Sequence, residues 1–196
     1  MKVTGKSSGL SLIFAIVTLL GAVVCNAGPI TYGVARTIGA GSVTGFIETD
    51  GSLGVLNASN IVDWNLVLYD GIYSFGLTGP LSGNDSQVFV MGGDVSASTT
   101  QLLFNFDGTD NGLLLFQQGL FSGNHYYCDA TQIGDCLGGE TVVPTSVFTR
   151  YQNASRSGEV VIGTVSGSSV PEPGACGLML AGLALLSLRA NRRKAG

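Results

Sequence analysis

The feature that most constrains this 196-residue chain is a two-residue alternation of apolar and polar side chains. It recurs at intervals of about ten residues, with no amphipathic helical period between the repeats. The clearest instance is Ile61–Tyr69, with Val62, Trp64, Leu66 and Leu68 on one face and Asp63, Asn65, Val67 and Tyr69 on the other. Such a strand is half-buried, so Trp64, the only tryptophan, belongs to the core rather than to a ligand. Similar patterning predicts strands over Thr31–Ile38 and Ser42–Thr49, joined around Gly39–Gly41, and then over Ile72–Leu77 and Gln87–Met91. One long strand, Val95–Phe106, follows, and then Leu113–Gln117, Ser146–Gln152 and Glu159–Val165. Asp50-Gly51 is the strongest hairpin signal, because both residues tolerate positive φ, and Asp70-Gly71 is a second turn. Ser122–Val143 is the least regular stretch. About nine or ten short strands with turn residues between them indicate an all-β domain, an antiparallel β-sandwich or jelly-roll-like fold.

Both ends depart from this pattern. Lys2 and Lys6 precede an uncharged apolar run, Leu10–Val24, and Cys25-Asn26-Ala27 ends on a small residue. This is the layout of a secretory signal peptide, residues 1–27, served by the Sec translocon and signal peptidase. Cleavage is expected between Ala27 and Gly28, since a cut after Gly28 would leave Pro29 directly behind it. Cys25 offers lipid attachment as an alternative, but Val24 occupies the position where that pathway takes a small residue. At the other end, Val170-Pro171-Glu172-Pro173 is held extended by two prolines with fixed φ. The 15 residues Gly174–Leu188 carry no charge, and Arg189, Arg192, Arg193 and Lys194 follow. As a helix the run would reach about 22 Å, against a hydrocarbon core of about 30 Å, which makes it a marginal anchor unless the flanking arginines snorkel. The cations would remain cytoplasmic, leaving everything before Val170 on the far side.

This tripartite end resembles the PEP-CTERM sorting signal. The resemblance implies a Gram-negative bacterium and an exosortase-type membrane enzyme that processes the tail, with transient inner-membrane anchoring before release to the cell surface or medium. A permanent tail anchor is the alternative. The expected organisation is thus a signal peptide (1–27), an all-β exported domain (28–169) and a sorting signal (170–196), with Gly167-Ser168-Ser169 as linker. The middle part is also similar to domains of other small proteins with this signal, through Glu48-Thr49-Asp50-Gly51, Asn60-Ile61-Val62-Asp63-Trp64-Asn65-Leu66 and Leu103-Phe104-Asn105-Phe106. That resemblance implies no activity.

Charge narrows the function of the middle. Residues 28–169 hold three arginines, Arg36, Arg150 and Arg156, against twelve acids and no lysine, a net charge of −9. Such a surface repels phosphate backbones, so nucleic acid is not an expected partner. It suits solubility outside the cell, or bridging to a matrix through divalent cations.

Few residues carry candidate chemistry. Cys128 and Cys136 are the only cysteines between the two end segments, and an even pair in an exported domain reads as a disulfide. The competing site is a metal held by His125, Cys128, Cys136 and Asp129 or Asp135, but the spacing fits no common zinc pattern. His125 is the only histidine, so any triad must run through it, and no Gly-x-Ser-x-Gly elbow is present. Asp107-Gly108-Thr109-Asp110-Asn111-Gly112 is oxygen-rich, yet lacks EF-hand spacing and a terminal glutamate. It is a turn with at most weak Ca2+ affinity, and no other cofactor is expected. Three Asn-x-Ser triplets, at Asn57, Asn84 and Asn153, are ordinary for a Ser- and Asn-rich bacterial chain. The expected function is a non-catalytic structural or adhesive protein of the cell surface or exopolysaccharide matrix. The alternative is an extracellular carbohydrate-binding module that stacks sugars on Tyr126 and Tyr127. A secreted glycan hydrolase comes third.

Overall fold

A computed structural model describes residues 28–108, 111–119, 125–132, 136, 138–145 and 150–165. Thirteen strands lie among them. β1 (Ile30–Ile38), β2 (Gly41–Thr49), β3 (Gly54–Val55), β4 (Ile61–Tyr69) and β5 (Ser74–Thr78) occupy the first half. β6 (Ser86–Met91), β7 (Val95–Ala97), β8 (Gln101–Asn105) and β9 (Leu113–Gln118) follow. β10 (Tyr126–Ala130), β11 (Gly139–Val143), β12 (Gln152–Ala154) and β13 (Glu159–Val165) complete the set. The described residues are almost all β, in two antiparallel sheets packed as a sandwich. One sheet runs β3-β7-β8-β13-β1-β2-β4-β5 and the other β12-β11-β10-β9-β6. Among the described residues no helix is long and apolar enough to cross a membrane. The apolar run 174–188 lies outside them.

The core forms where the inward positions of both sheets meet. Tyr32, Val34, Ile38, Val43, Ile47, Leu66, Leu68, Leu102, Phe104 and Ile162 come from the larger sheet and Leu114, Phe116, Tyr127 and Val142 from the smaller. Trp64 is buried as its alternation requires, packs edge-on against Phe116 with centroids 5.4 Å apart, and donates Nε1–H to Ser86 Oγ at 2.8 Å. The Ser86 hydroxyl passes its own hydrogen to the Thr78 carbonyl at 2.8 Å, so the indole N–H is satisfied without water.

Four segments differ from the sequence-based expectation. Asp50-Gly51 does not close a hairpin; it opens an excursion from Asp50 to Asn60 that holds β3 and a 3-10 turn, Ala58–Asn60, before β4 pairs with β2. The Asp50 side chain accepts from the Ser52 amide at 2.9 Å and from Asn60 Nδ2 at 3.0 Å, while its amide donates to the Asn60 carbonyl at 2.9 Å. The aspartate thus staples the base of a loop rather than a two-residue turn. The single strand expected over Val95–Phe106 is a hairpin, β7 and β8, because Ser98 Oγ accepts from the amides of Thr100 and Gln101 at 3.2 and 2.9 Å and turns the chain. The apparently irregular Ser122–Val143 contains β10 and β11, both inside the smaller sheet. The expected strand Ser146–Gln152 falls partly outside the described residues; Arg150 and Tyr151 are irregular and the strand is Gln152–Ala154.

Candidate functional site

The most unusual chemistry of the described residues lies between the sheets. Asp129 on β10 and Glu140 on β11 are direct cross-strand partners on the inward face, and both are fully buried. Arg36, at an inward position of β1, reaches Glu140 with Nε–Oε1 at 2.8 Å and Nη2–Oε2 at 3.0 Å. Arg156, between β12 and β13, adds Nε–Oε2 at 2.8 Å. The guanidiniums are further anchored by carbonyls, Arg36 by Val161 at 2.9 Å and Arg156 by Thr37 at 2.7 Å. Glu140 is thus a carboxylate held by two forks, with its lone pairs occupied. That bond to Glu140 raises Arg36 above its ordinary value.

Asp129 has no such partner. Its Oδ2 lies 2.9 Å from the Tyr127 hydroxyl, which is also 3.2 Å from Glu140 Oε1, and its Oδ1 has no hydrogen-bond partner among the described residues. Burial, and then the negative Glu140, push the Asp129 carboxyl well above the ordinary carboxyl range. The same burial, with Asp129 next, pushes the Tyr127 phenol up. A phenol has one hydrogen for two carboxyl neighbours. The Tyr127 hydroxyl is the donor towards both carboxyls, with the shorter contact to Asp129. Paired carboxyls with such different environments are the pattern of acid–base catalysis. Here neither is exposed, and every arm of Glu140 is committed to a protein cation, so the arrangement cross-links β1, β10, β11 and the β12–β13 connection.

Strand alternation decides the fate of the remaining candidates. Tyr127 points inward and has 0 % exposure, so it cannot stack a sugar; its ring lies parallel to Phe116 at 6.3 Å. The expected exposed pair of Tyr126 and Tyr127 is therefore replaced by one half-buried ring, Tyr126, on the outward face. Cys128 also points outward and is bonded to Cys136, with Cα atoms 6.0 Å apart. With the sulfurs joined, and Asp129 on the opposite face, the alternative metal set of His125, Cys128, Cys136 and Asp129 is not assembled; Asp135 lies outside the described residues. The disulfide caps a small apolar cluster of Leu113, Cys128 and Ala130, flanked by Leu115 and Tyr126. His125 stacks on Phe75, with centroids 3.8 Å apart and planes 6° from parallel, which joins the start of β10 to β5.

The oxygen-rich loop after β8 folds around a strand-end carboxylate. A side chain on Gly108 or on Gly112 would run into the Asp94 carboxyl group, so glycine at both positions lets the backbone close on that buried acid. Asp110, which a Ca2+ site would need, lies outside the described residues, and among those described no three metal-binding side chains converge. No motif in the sequence marks Arg36, Glu140 and Arg156 as a cluster. One signal was present: Arg36 continues the inward series Ile30, Tyr32, Val34 and precedes Ile38, and a guanidinium on a core face requires a buried carboxylate.

Ala27 lies outside the described residues, as do Val170, Pro171, Glu172 and Pro173 and the basic residues Arg189, Arg192, Arg193 and Lys194; Gly28 is the first described residue. In comparisons with known proteins, the family model of the PEP-CTERM protein-sorting motif matches residues 169–194. No curated protein and no solved structure matches the chain. The chain thus carries a PEP-CTERM protein-sorting motif and is an exported protein directed to exosortase.

Proposed function

We propose that the protein is a surface or exopolysaccharide-matrix component with a structural or adhesive, non-catalytic role. The single observation that carries this is the sorting motif at 169–194, which follows the sandwich domain. The domain's character supports it: an exported fold closed by a disulfide, cross-linked inside by an ion-pair cluster, and negative in net charge. In this scheme the Sec route delivers the chain and signal peptidase cuts between Ala27 and Gly28. The tail then holds the domain at the inner membrane until exosortase removes it near Val170.

Intact mass of the protein from culture medium and from membranes tests the scheme. The expected medium form runs from Gly28 to near Val170 and is lighter by two hydrogens for the disulfide. A tail-bearing form confined to membranes would make the protein a permanent anchor and overturn the matrix role.

A further inference from the structure

The two sheets end on β3, β5, β6 and β12, and three of these edges are blunted. β3 and β12 hold only two and three residues. β5 has Gly76 at its centre, and its last residue is already bonded. The Thr78 amide donates to Asp85 Oδ1 at 2.7 Å, and the Thr78 carbonyl accepts from the Asp85 amide at 3.2 Å. β6 is different. Its six residues, Ser86-Gln87-Val88-Phe89-Val90-Met91, pair with β9 in unbroken register, and they include no charge, no proline and no glycine. Among the described residues no strand lies on its other side. Short length, charge, proline and bulges are the means by which proteins keep a sheet edge from accepting another strand, and β6 uses none of them.

Such an edge offers main-chain hydrogen bonds to an extended segment, and the placing of charge narrows which segment fits. Asp85 and Asp94 flank β6 in an otherwise uncharged stretch. Directly opposed residues of an antiparallel pair lie on the same side of the sheet, so two copies of β6 related by a two-fold axis must set one residue opposite its own copy. With Phe89 in that place, Val88 faces Val90, which keeps both core-packed valines on the inner side. Gln87 then faces Met91, Asp85 faces Gly93, and Asp94 faces Asn84, so no acid meets an acid. With Val88 opposite itself instead, Asp85 would face Met91. We propose that β6 pairs antiparallel with β6 of a second copy of this chain, in the register centred on Phe89, joining two five-stranded sheets into one. The like negative charge of the two copies opposes their approach and is screened by salt, so the pairing strengthens as ionic strength rises. It does not rest on the matrix role.

The test is sedimentation velocity of the full chain in density-matched detergent, over a series of protein and NaCl concentrations. A monomer–dimer equilibrium that tightens with NaCl is expected. Gln87→Glu with Met91→Glu sets like charges opposite each other on both sides of the axis and should weaken the dimer about tenfold. Gln87→Lys with Met91→Glu sets opposite charges in the same places and should restore it. Both double variants should keep the wild-type Tm, because Gln87 is on the outward side and Met91 is 48 % exposed. A chain that stays monomeric at every concentration, association indifferent to the glutamate pair, or equal loss in both double variants would overturn the pairing. Removal of the tail leaves β6 untouched, so this measurement and the mass of the medium form fail separately.

Discussion

Asp129 and Glu140 face each other across two neighbouring strands, yet only Glu140 has cations to answer its charge. The cheapest state of Asp129 beside a buried anion is the neutral acid, and its upward displacement expresses that. The sign follows from proton linkage. An unfolded aspartate loses its proton near pH 3.9, whereas the folded one keeps it, so above about pH 4 the folded state binds more protons. Stability is therefore full below that pH and falls as pH rises through the folded value. Replacing Asp129 by Asn should flatten this dependence and raise Tm on the alkaline side, as read by thermal melts between about pH 4 and 9. A wild-type slope that survives in Asp129→Asn would show that the proton sits elsewhere. Tyr127 illustrates why such a site hides in a sequence. Neighbouring tyrosines look alike as candidates for sugar stacking, but a strand must send one inward and one outward. Which goes where depends on register with β9 and β11, which local composition does not carry.

At the level of elements, the sequence was legible wherever alternation was apolar against polar. Ile61–Tyr69 and Glu159–Val165 coincide with β4 and β13, and the sandwich class follows from such segments. It failed where polar residues occupy inward positions. Asp129 and Glu140 broke the pattern of β10 and β11, so two inner strands of the smaller sheet looked like loop. It also failed where a hydroxyl could serve as a turn acceptor, since Ser98 reads as one more outward residue until its bonds to Thr100 and Gln101 are seen. The same two strands set the worth of the disulfide. Cys128 lies within β10, and Cys136 in the connection to β11, eight residues on. Replacing both cysteines with serine should lower stability by about 2–3 kcal/mol, measured as a shift of the urea midpoint with the slope unchanged. A midpoint that stays in place would mean that the sheet registers this connection without help.

For the whole molecule, the decisive element is the last. β13 lies between β8 and β1, so the last of the described strands is an interior strand of the larger sheet. Without it that sheet becomes two pieces, β3-β7-β8 and β1-β2-β4-β5, each with an apolar inner face and a new open edge. A chain ending at Ser157 should therefore fail to give a cooperative melt, while one ending at Ser169 should melt as the full domain does. Equal melts for the two would show that β13 only decorates the sheet. The position of β13 was not legible, because strand order depends on pairings such as Tyr32 with Val165, far apart in the chain.

This placement bears on timing. A chain that crosses a membrane with its N-terminus leading delivers β1 and β2 first and must then wait for nearly the whole domain before the second neighbour of β1, β13, arrives. Until Glu159–Val165 emerges, the larger sheet cannot close. The strand order thus makes closure of the larger sheet wait on β13, the last of the described strands.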